Sequence, residues 1–483
     1  MAQSRMLLLW GSLICTAAFL INLNGCGGGS GNSSTNTPPP TQKVQHIVVI
    51  FQENRSTDNL FQDPVLVKRG ADIQTPAHGW NKEGTLITPT AASLGALFDP
   101  DHTHASFLAM YDNGKMDGAD KITVSCPQGC PPNPTFTYVD NSTGDVAPYY
   151  ALAETYTFGD RMFQTNQGPS FPAHQFIISG TSAPVPPGGA MSQFFVAENP
   201  GLLTQDDHTG CTAPPTETVL LIDSTNPNPK TNETQKIYTC FDHPTLTDLL
   251  NAKQISWKYY APVPGSIWTG PNAIEHMCGP AHSTACTASD WVNNVVLNYT
   301  QVLTDIGSGQ LADVSWVIPT GTVSDHAGLT NGTGPSWVAS VVNAIGTSPY
   351  WANTAIIITW DDWGGWYDHV TPASPTGPGI LNSDEFGFRV PLIVVSPYAK
   401  PAYISHQVND FGSILKFIES TFGLAQVAPG ASTPYADTFT MTGDLSDCFD
   451  FTQTPLTFQT IPAKFDAAYF LNDKSAPTGP DND

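Results

Sequence analysis

The stretch that decides the fold is Ala355-Ile356-Ile357-Ile358-Thr359-Trp360-Asp361-Asp362, an apolar run that ends in two adjacent aspartates. A run of this composition is typical of a strand buried on both faces of a parallel sheet. Open α/β sheets bind their ligands just beyond the carboxyl ends of such strands, where these aspartates lie. Adjacent carboxylates repel each other unless a cation lies between them. The stretch therefore predicts an α/β fold with a divalent metal bound by oxygen atoms at one edge of the sheet.

Three further apolar runs are each followed by polar side chains. The runs begin at His46, Phe158 and Val314, and the polar residues that follow them are Glu53 with Asn54, Ser170, and His326. We expect Ser170 in the first turn of a helix, where free N–H groups favour an anion such as phosphate. Taken singly, Ser170 could be a helix cap and His326 a loop histidine. Together, at the ends of four strands, these residues predict one site.

Several motifs resemble the bacterial acid phosphatase / phospholipase C superfamily of phosphoesterases, which is alkaline-phosphatase-like. The motifs are Glu53-Asn54-Arg55-Ser56, Gly168-Pro169-Ser170, Asp361-Asp362, Asp368-His369-Val370 and Phe386-Gly387-Phe388-Arg389-Val390-Pro391. They keep the family's order over most of the chain. The resemblance implies a three-layer α/β/α sandwich with a mostly parallel sheet.

The resemblance also implies a site with one divalent metal ion. The metal ligands that it implies are Glu53, Asn54, Ser170, Asp361 and Asp362. Ser170 would be the nucleophile as well as a ligand. Oxygen ligands suit Mg, Ca or Mn, while Fe and Zn stay open because ligand type alone does not exclude them.

Histidines surround the phosphoryl group in this family. His102 and His326 match by motif, and the third histidine is expected to be His282, with His276 as the alternative in the same window. Protonated histidines would neutralise phosphoryl charge and protonate the leaving group. This predicts an acidic optimum, because an unperturbed histidine loses its charge above a pKa of about 6.5.

The predicted function is hydrolysis of phosphomonoesters, as in acid phosphatases, through Ser170 and a phosphoseryl intermediate. Coordination to a cation would lower the pKa of the serine hydroxyl and fix its oxygen in line with phosphorus. A phosphate ester is thus the expected substrate.

Two alternatives stay open. The first is a phospholipase C that cleaves phosphatidylcholine-type lipids, because Trp363, Trp366 and Tyr367 follow the aspartates and aromatic rings can bind a choline cation. Packing of these rings in a loop is the simpler interpretation. The second is a non-catalytic phosphate-binding surface lipoprotein, because Ala173 replaces an asparagine that many relatives carry after the nucleophile.

The net charge limits the classes of partner that the protein can bind. The chain has 18 Lys+Arg against 42 Asp+Glu, a formal net charge of -24, so its overall field repels nucleic acid. It shows no basic patch, zinc-finger spacing, P-loop or G-x-G-x-x-G fingerprint. We therefore expect no nucleic-acid partner, and no obligate protein partner is evident.

The amino terminus predicts export. Met6 to Leu23 is an apolar stretch after Arg5, which is typical of a signal peptide, and Leu23-Asn24-Gly25-Cys26 resembles a bacterial lipoprotein cleavage box. The predicted segments are a signal peptide (1–25), a lipid attachment and linker (26–42), a catalytic domain (43–475) and a tail (476–483). Cys26 would anchor the protein to a bacterial membrane, in the periplasm or at the cell surface. An ordinary secretory signal or an uncleaved anchor remains the alternative.

Other predictions concern the body of the chain. Short spacings suggest the disulfides Cys126–Cys130 and Cys278–Cys286, with Cys211–Cys240 as a looser third pair and Cys448 left over. We also predict strands at Ile255–Tyr260 and Val390–Val395, a helix at Asp410–Phe422, and an inserted polar surface loop or lid, rather than a second domain, at Leu203–Glu233.

Overall fold

A computed structural model describes residues 43–75, 78–201, 209–226, 228, 230–373, 386–431 and 435–478. The predicted signal peptide, the lipid attachment at Cys26 and residues 479–483 of the predicted tail lie outside the described residues. Within the described ranges, no helix is both long enough and apolar enough to cross a membrane.

Seventeen strands are found in the described part of the chain. They are β1 (His46–Gln52), β2 (Gly79–Trp80), β3 (Leu86–Ile87), β4 (Ala91–Ala92), β5 (Asp99–Pro100), β6 (Val124–Ser125), β7 (Tyr138–Val139), β8 (Thr157–Gly159), β9 (Phe194–Val196), β10 (Thr218–Asp223), β11 (Gln235–Tyr238), β12 (Trp257–Tyr260), β13 (Val295–Val296), β14 (Val314–Val317), β15 (Thr354–Trp360), β16 (Leu392–Val395) and β17 (Tyr403–Ser405).

Twelve α-helices accompany them in the same described ranges. They are α1 (Thr57–Leu60), α2 (Pro64–Lys68), α3 (His104–Tyr111), α4 (Ala147–Thr155), α5 (Ser170–Ser179), α6 (Leu246–Lys253), α7 (Glu275–Cys278), α8 (Ser289–Asn294), α9 (Gln301–Gly307), α10 (Gly334–Gly346), α11 (Phe411–Phe422) and α12 (Ala467–Asn472).

Eight strands form the main sheet, in the order β13-β12-β14-β1-β15-β16-β8-β17. All neighbours pair in parallel except β16, which is antiparallel to β15 and to β8. The two central strands are buried over almost their whole length, as continuous β-branched runs require. Helices α4, α9, α10 and α12 pack as one group, and α5, α6 and α11 pack as another. The predicted α/β class with a mostly parallel sheet is confirmed.

The register of the central strands places the predicted site residues side by side. In the parallel pairing, Gln52 of β1 lies opposite Trp360 of β15, and Ile50 lies opposite Val317 of β14. The carboxyl ends of these strands therefore meet at one edge of the sheet, and the residues that follow them meet there as well.

Most of the predicted elements are found. Strands β12 and β16 lie within the predicted stretches, and α11 begins after Asp410, whose carboxylate accepts from Ser413 N at 3.1 Å as a helix cap. The three predicted disulfides are formed, and Cys448 is a buried thiol. These confirmations concern features with strong local signals.

The predicted surface loop at Leu203–Glu233 is wrong in part. Strand β10 lies inside it as the middle strand of a three-stranded antiparallel sheet, between β11 and β9. Its side chains alternate, and Val219 and Leu221 are fully buried. The short apolar run at residues 219–222 is flanked by polar sequence, which masks its period-two pattern.

A buried ion-pair network lies at the same edge of the sheet. Arg389 is fully buried and holds Asp368 with two hydrogen bonds, Nε to Oδ1 at 2.9 Å and Nη2 to Oδ2 at 3.1 Å. Asp58 accepts from Arg389 Nη2 at 3.3 Å and lies 2.5 Å from Nδ1 of His369. The network ties α1 to the two motifs that contain Asp368 and Arg389. Such a network is costly to break, because each charge would be left buried without its partner.

We expect this network to make stability depend on pH. Burial alone would lower the pKa of His369, but its hydrogen bond to Asp58 and the charge of Asp58 outweigh burial and raise the pKa to about 9. Protonated His369 therefore stabilises the fold fully below its unfolded pKa of about 6.5, and this stabilisation is lost as pH rises to about 9. The loss is on the order of 2 kcal/mol. Urea unfolding of the wild type and of His369→Gln at pH 6.5 and 9 measures it.

The variant should show a shallower decrease in free energy of unfolding than the wild type. His406→Gln is the control, because His406 also pairs with a carboxylate, Asp160, but its side chain is 59% exposed. Equal pH slopes in the wild type and in His369→Gln would contradict the role of His369.

Candidate active site

Four of the predicted metal ligands meet where β1 and β15 end. Glu53 and Asn54 follow β1, and Asp361 and Asp362 follow β15; none is more than 1% exposed. Backbone hydrogen bonds continue the strand pairing here, because Asp361 N donates to the carbonyl of Gln52 at 2.9 Å. Asn54 N donates to Asp361 Oδ1 at 2.9 Å. The strand register thus gathers three carboxylates and an amide into a volume closed to solvent.

The donor set of this cluster fits a cation. Among the described residues, Asn54 Oδ1 and Asp361 Oδ2 are buried and have no hydrogen-bond partner. Burial, followed by the charge of Asp361, raises the pKa of Glu53 and that of Asp362 well above the usual range of a carboxyl group. A bound divalent ion would reverse this effect and give the orphaned oxygens a partner. The oxygen donors present therefore suit a divalent metal ion.

Ser170 is the first residue of α5, as predicted, and its hydroxyl faces the carboxylates. Its Oγ lies 3.4 Å from Asp362 Oδ2 and 3.5 Å from Glu53 Oε2. The preceding Gly168 is required by close packing, since a Cβ there would lie 1.9 Å from the carbonyl oxygen of Ala197. The Gly-Pro-Ser motif therefore brings the start of a helix directly against the acidic cluster.

The helix N-terminus offers fewer donors than a typical first turn. Phe171 N already donates to Asn199 Oδ1 at 2.9 Å, and Pro172 has no N–H group. The expected anion-binding role of this helix end is thus reduced. Neutralisation of a phosphoryl group would depend more on the cation and the histidines.

His102 and His326 lie at the cluster, as predicted. His102 Nδ1 lies 3.1 Å from the carbonyl oxygen of Pro100, so Nδ1 donates and Nε2 accepts from Asn54 Nδ2 at 2.7 Å. Because the amide nitrogen of Asn54 makes this contact, the amide oxygen Oδ1 can serve as a metal ligand. The ring of His326 is 5.6 Å from that of His102 between centroids and is buried.

Asp325 fixes the segment that carries His326. Its Oδ2 accepts from the hydroxyl of Tyr149 at 2.7 Å and from Trp360 Nε1 at 3.0 Å. Its backbone carbonyl accepts from Arg55 Nε at 2.8 Å. Burial raises the pKa of Asp325 to about 6. These hydrogen bonds hold the loop after β14 against Trp360, the last residue of β15, and against Arg55, which follows β1.

The third predicted histidine is not in the cluster. His282 is exposed and its ring lies 4.1 Å from that of Tyr238, and its alternative, His276, pairs with Asp242 at 2.7 Å. The residues between Cys278 and Cys286 are mostly exposed, which the sequence window did not reveal.

A different histidine occupies the cluster. His174 is fully buried, and its Nε2 lies 3.1 Å from Glu53 Oε1. Burial lowers its pKa to about 4, against the charge of Asp361. Glu53, His174 and Asp361 bring one possible ligand atom each within 4.8 Å of one another. The spacing of four residues between Ser170 and His174 on a predicted helix could have identified this histidine, since residues four apart share a helix face.

A second group of residues has similar spacing but a different chemistry. Asp58, Asp368 and His369 also bring possible ligand atoms within 4.8 Å. Both carboxylates, however, already bind the guanidinium of Arg389. The guanidinium of Arg389 therefore already neutralises this group, and we assign the group a structural role.

The family model described as "Phosphoesterase family" matches residues 44–425. The chain belongs to the phosphoesterase family. Hemolytic phospholipase C of Pseudomonas aeruginosa is 24% identical over 85% of this chain and 56% of the relative, so the chain spans little more than half of that protein. Phospholipase C B of Mycobacterium tuberculosis is 25% identical over 85% of this chain and 78% of the relative.

Among solved structures, an alkaline phosphatase superfamily protein from Vibrio parahaemolyticus matches with 10% identity and a TM-score of 0.34. The match covers 83% of this chain and 70% of that one.

The aromatic residues of this phosphoesterase's Asp361 loop are packed in the interior. Trp363 is fully buried against Phe388, with ring centroids 5.4 Å apart, and Trp366 is 2% exposed with the guanidinium of Arg55 5.0 Å from its ring centre. Tyr367 lies 5.0 Å from the ring of Phe136. The packing interpretation is thus correct, and these rings do not form an open cage for choline.

We expect the turn after Asp362 to control the position of Asn54. Gly364 has φ +63°, and a Cβ there would lie 2.4 Å from the carbonyl oxygen of Asn54. Gly364→Ala should therefore displace Asn54 and weaken Mn²⁺ binding at least tenfold, as measured by isothermal titration calorimetry.

Gly423→Ala is the matched control, because Gly423 also has φ +63° but a Cβ there would meet no atom within 4 Å. It should cost only the roughly 1–2 kcal/mol of a left-handed alanine and leave Mn²⁺ affinity unchanged. Equal Mn²⁺ affinities in the two variants would show that the turn does not position the ligand.

Proposed function

We propose that this chain is a metal-dependent phosphoester hydrolase in which Ser170 is the nucleophile. The observation that carries the proposal is the placement of the Ser170 hydroxyl at 3.4–3.5 Å from two carboxylates of a buried acidic cluster. A cluster of this kind without a cation would leave like charges buried together. Membership of the phosphoesterase family supports the same reaction class.

The metal would be held by residues that already converge. These are Glu53, Asn54, Asp361 and Asp362, with the hydroxyl of Ser170 as a further ligand. A divalent cation bound there would lower the pKa of the serine hydroxyl and neutralise charge on the phosphoryl oxygens.

Ser170 would attack phosphorus, forming a bond from Oγ to phosphorus as the bond from phosphorus to the leaving oxygen breaks. Its position at the first residue of α5 holds Oγ at the surface of the cluster. Water would then attack phosphorus as the phosphoseryl bond breaks, so that a water proton regenerates the serine hydroxyl and the phosphoryl group leaves as phosphate with the water oxygen. Two attacks of this kind divide one difficult hydrolysis into two easier steps.

The two histidines would handle protons. His102 holds its Nδ1 proton on the carbonyl of Pro100, and its Nε2, once the contact with Asn54 Nδ2 at 2.7 Å opens, would accept a proton and deliver it to the leaving oxygen. His326 Nδ1 lies 2.7 Å from the carbonyl oxygen of Ala327, which fixes the orientation of the ring, and His326 would be the second proton carrier. Delivery of a proton requires the charged imidazole, which supports the prediction of an acidic optimum.

The sequence favours a phosphomonoester as the substrate, whereas the relatives favour a phospholipid as the second candidate. Relatives that share 24–25% identity over 85% of this chain are named phospholipase C. This supports cleavage of a phospholipid diester at the glycerol side. Export and attachment to a membrane through Cys26 would suit either substrate, and both remain predictions.

The nucleophile is tested by Ser170→Ala. With Mn²⁺ bound, the wild type should hydrolyse p-nitrophenyl phosphate between pH 4 and 9 and lose activity with chelator. The variant should lose at least about 10³-fold in kcat, because loss of a nucleophile removes the covalent route. Ser340→Ala is the control, because Ser340 is a buried helical serine whose hydroxyl donates to the carbonyl of Ser336 at 2.8 Å. Full turnover in Ser170→Ala would contradict the proposal.

The substrate class is tested by comparing kcat/KM for p-nitrophenyl phosphate, p-nitrophenylphosphorylcholine and phosphatidylcholine vesicles. A phosphomonoesterase should prefer the first by at least tenfold, and a phospholipase C should prefer the choline esters. Phosphate binding by the metal-loaded wild type without turnover of any of the three would instead support a binding protein.

A further inference from the structure

The ring of His174 is held on two sides. Its Nε2 lies 3.1 Å from Glu53 Oε1, and its Nδ1 lies 3.2 Å from the hydroxyl of Tyr259. Phe51 packs edge-on against the ring at 4.9 Å between centroids. The orientation of both ring nitrogens is therefore fixed by the fold.

The contacts of Tyr259 decide which nitrogen carries the proton. The tyrosine hydroxyl donates its single hydrogen to the carbonyl oxygen of Trp268 at 2.8 Å. It also accepts from Gly270 N at 3.3 Å. It has no second hydrogen to offer, so Nδ1 of His174 must be the donor in their contact. A neutral ring with its proton on Nδ1 presents a lone pair at Nε2.

That lone pair faces the acidic cluster. A lone pair opposite a carboxylate oxygen is repulsive unless a proton or a cation lies between them. Two atoms that bind one cation at about 2.1 Å, at a right angle, lie about 3.0 Å apart. The observed separation of 3.1 Å between Nε2 and Glu53 Oε1 fits two ligands of one ion.

We propose that His174 Nε2 is a nitrogen ligand of the metal at this site, a role that rests on the proposed function. Tyr259 would act as the outer partner that fixes the ring tautomer, as carboxylates and carbonyls do for other metal-bound histidines. An imidazole among oxygen ligands favours Zn or Fe over Mg or Ca. The site would therefore select a transition metal.

The test is pulsed EPR of the chelator-treated protein reloaded with one equivalent of Mn²⁺. The wild type should show a nitrogen hyperfine coupling, and its pattern should change when histidine is labelled with ¹⁵N. This comparison needs no variant, so it does not depend on a substituted protein that folds.

His174→Asn assigns the coupling to one residue. Asparagine keeps a donor near the position of Nδ1 for Tyr259 and removes the atom at Nε2. The coupling should disappear, and the affinity for Zn²⁺ should fall at least tenfold more than the affinity for Mg²⁺. His243→Asn is the matched control, because His243 is also buried but its ring contacts the carbonyl of Ala183 and the hydroxyl of Ser179 instead of the cluster residues, so the variant should leave the coupling unchanged.

Three other results are distinguishable. Stoichiometric Mn²⁺ without a nitrogen coupling would overturn the inference and leave the proposed function standing. A coupling that persists in His174→Asn would overturn it in the same way. Failure of the wild type to bind Mn²⁺ would overturn both the inference and the metal dependence of the proposed function.

Discussion

Repulsion among buried carboxylates is the constraint around which the site is built. Glu53, Asp361 and Asp362 are fully buried, and their mutual charge adds to the cost of burial. An isolated buried carboxylate costs several kcal/mol after relaxation, so three together require compensation. Hydrogen bonds from Asn54 and the Ser170 hydroxyl supply part of it. A divalent cation would supply the remainder, and the nucleophile would then lie within its reach.

The parallel pairing of β1 with β15 creates this constraint. Gln52 opposite Trp360 brings Glu53 and Asp361 to the same level, and a slip of one residue would turn every side chain to the other face. Buried hydrogen bonds around the strand ends keep this register in place. Arg389 ties the segments around Asp58 and Asp368 together, and Asp325 joins the end of β14 to the same place. Fold and site are thus stabilised by one set of contacts.

Much of the site was predictable because its signals are local. Continuous apolar runs predicted the strands, and the polar residues directly after them had to meet at one edge of a parallel sheet. The start of α5 at Ser170 followed from the Gly-Pro-Ser motif. The motif-based histidines, His102 and His326, are both at the cluster.

The failures concern features set by long-range packing. The position of the loop that carries His282 depends on its contact with Tyr238 at the surface, which no local pattern encodes. His174 is brought to the cluster by contacts with Glu53 and with Tyr259, 85 residues away along the chain, and the only local signal for it is its spacing of four residues from Ser170. Strand β10 was hidden because its apolar run is short and is flanked by polar sequence.

The central claim is that the buried cluster after β1 and β15 is a cation site. Crystals grown with Mn²⁺ and measured at the manganese absorption edge test it most directly, because anomalous scattering locates the ion without assumptions about activity. The account predicts one strong peak bounded by Glu53, Asn54, Asp361 and Asp362. A peak at Asp58 and His369 instead, or no peak at saturating Mn²⁺, would contradict it.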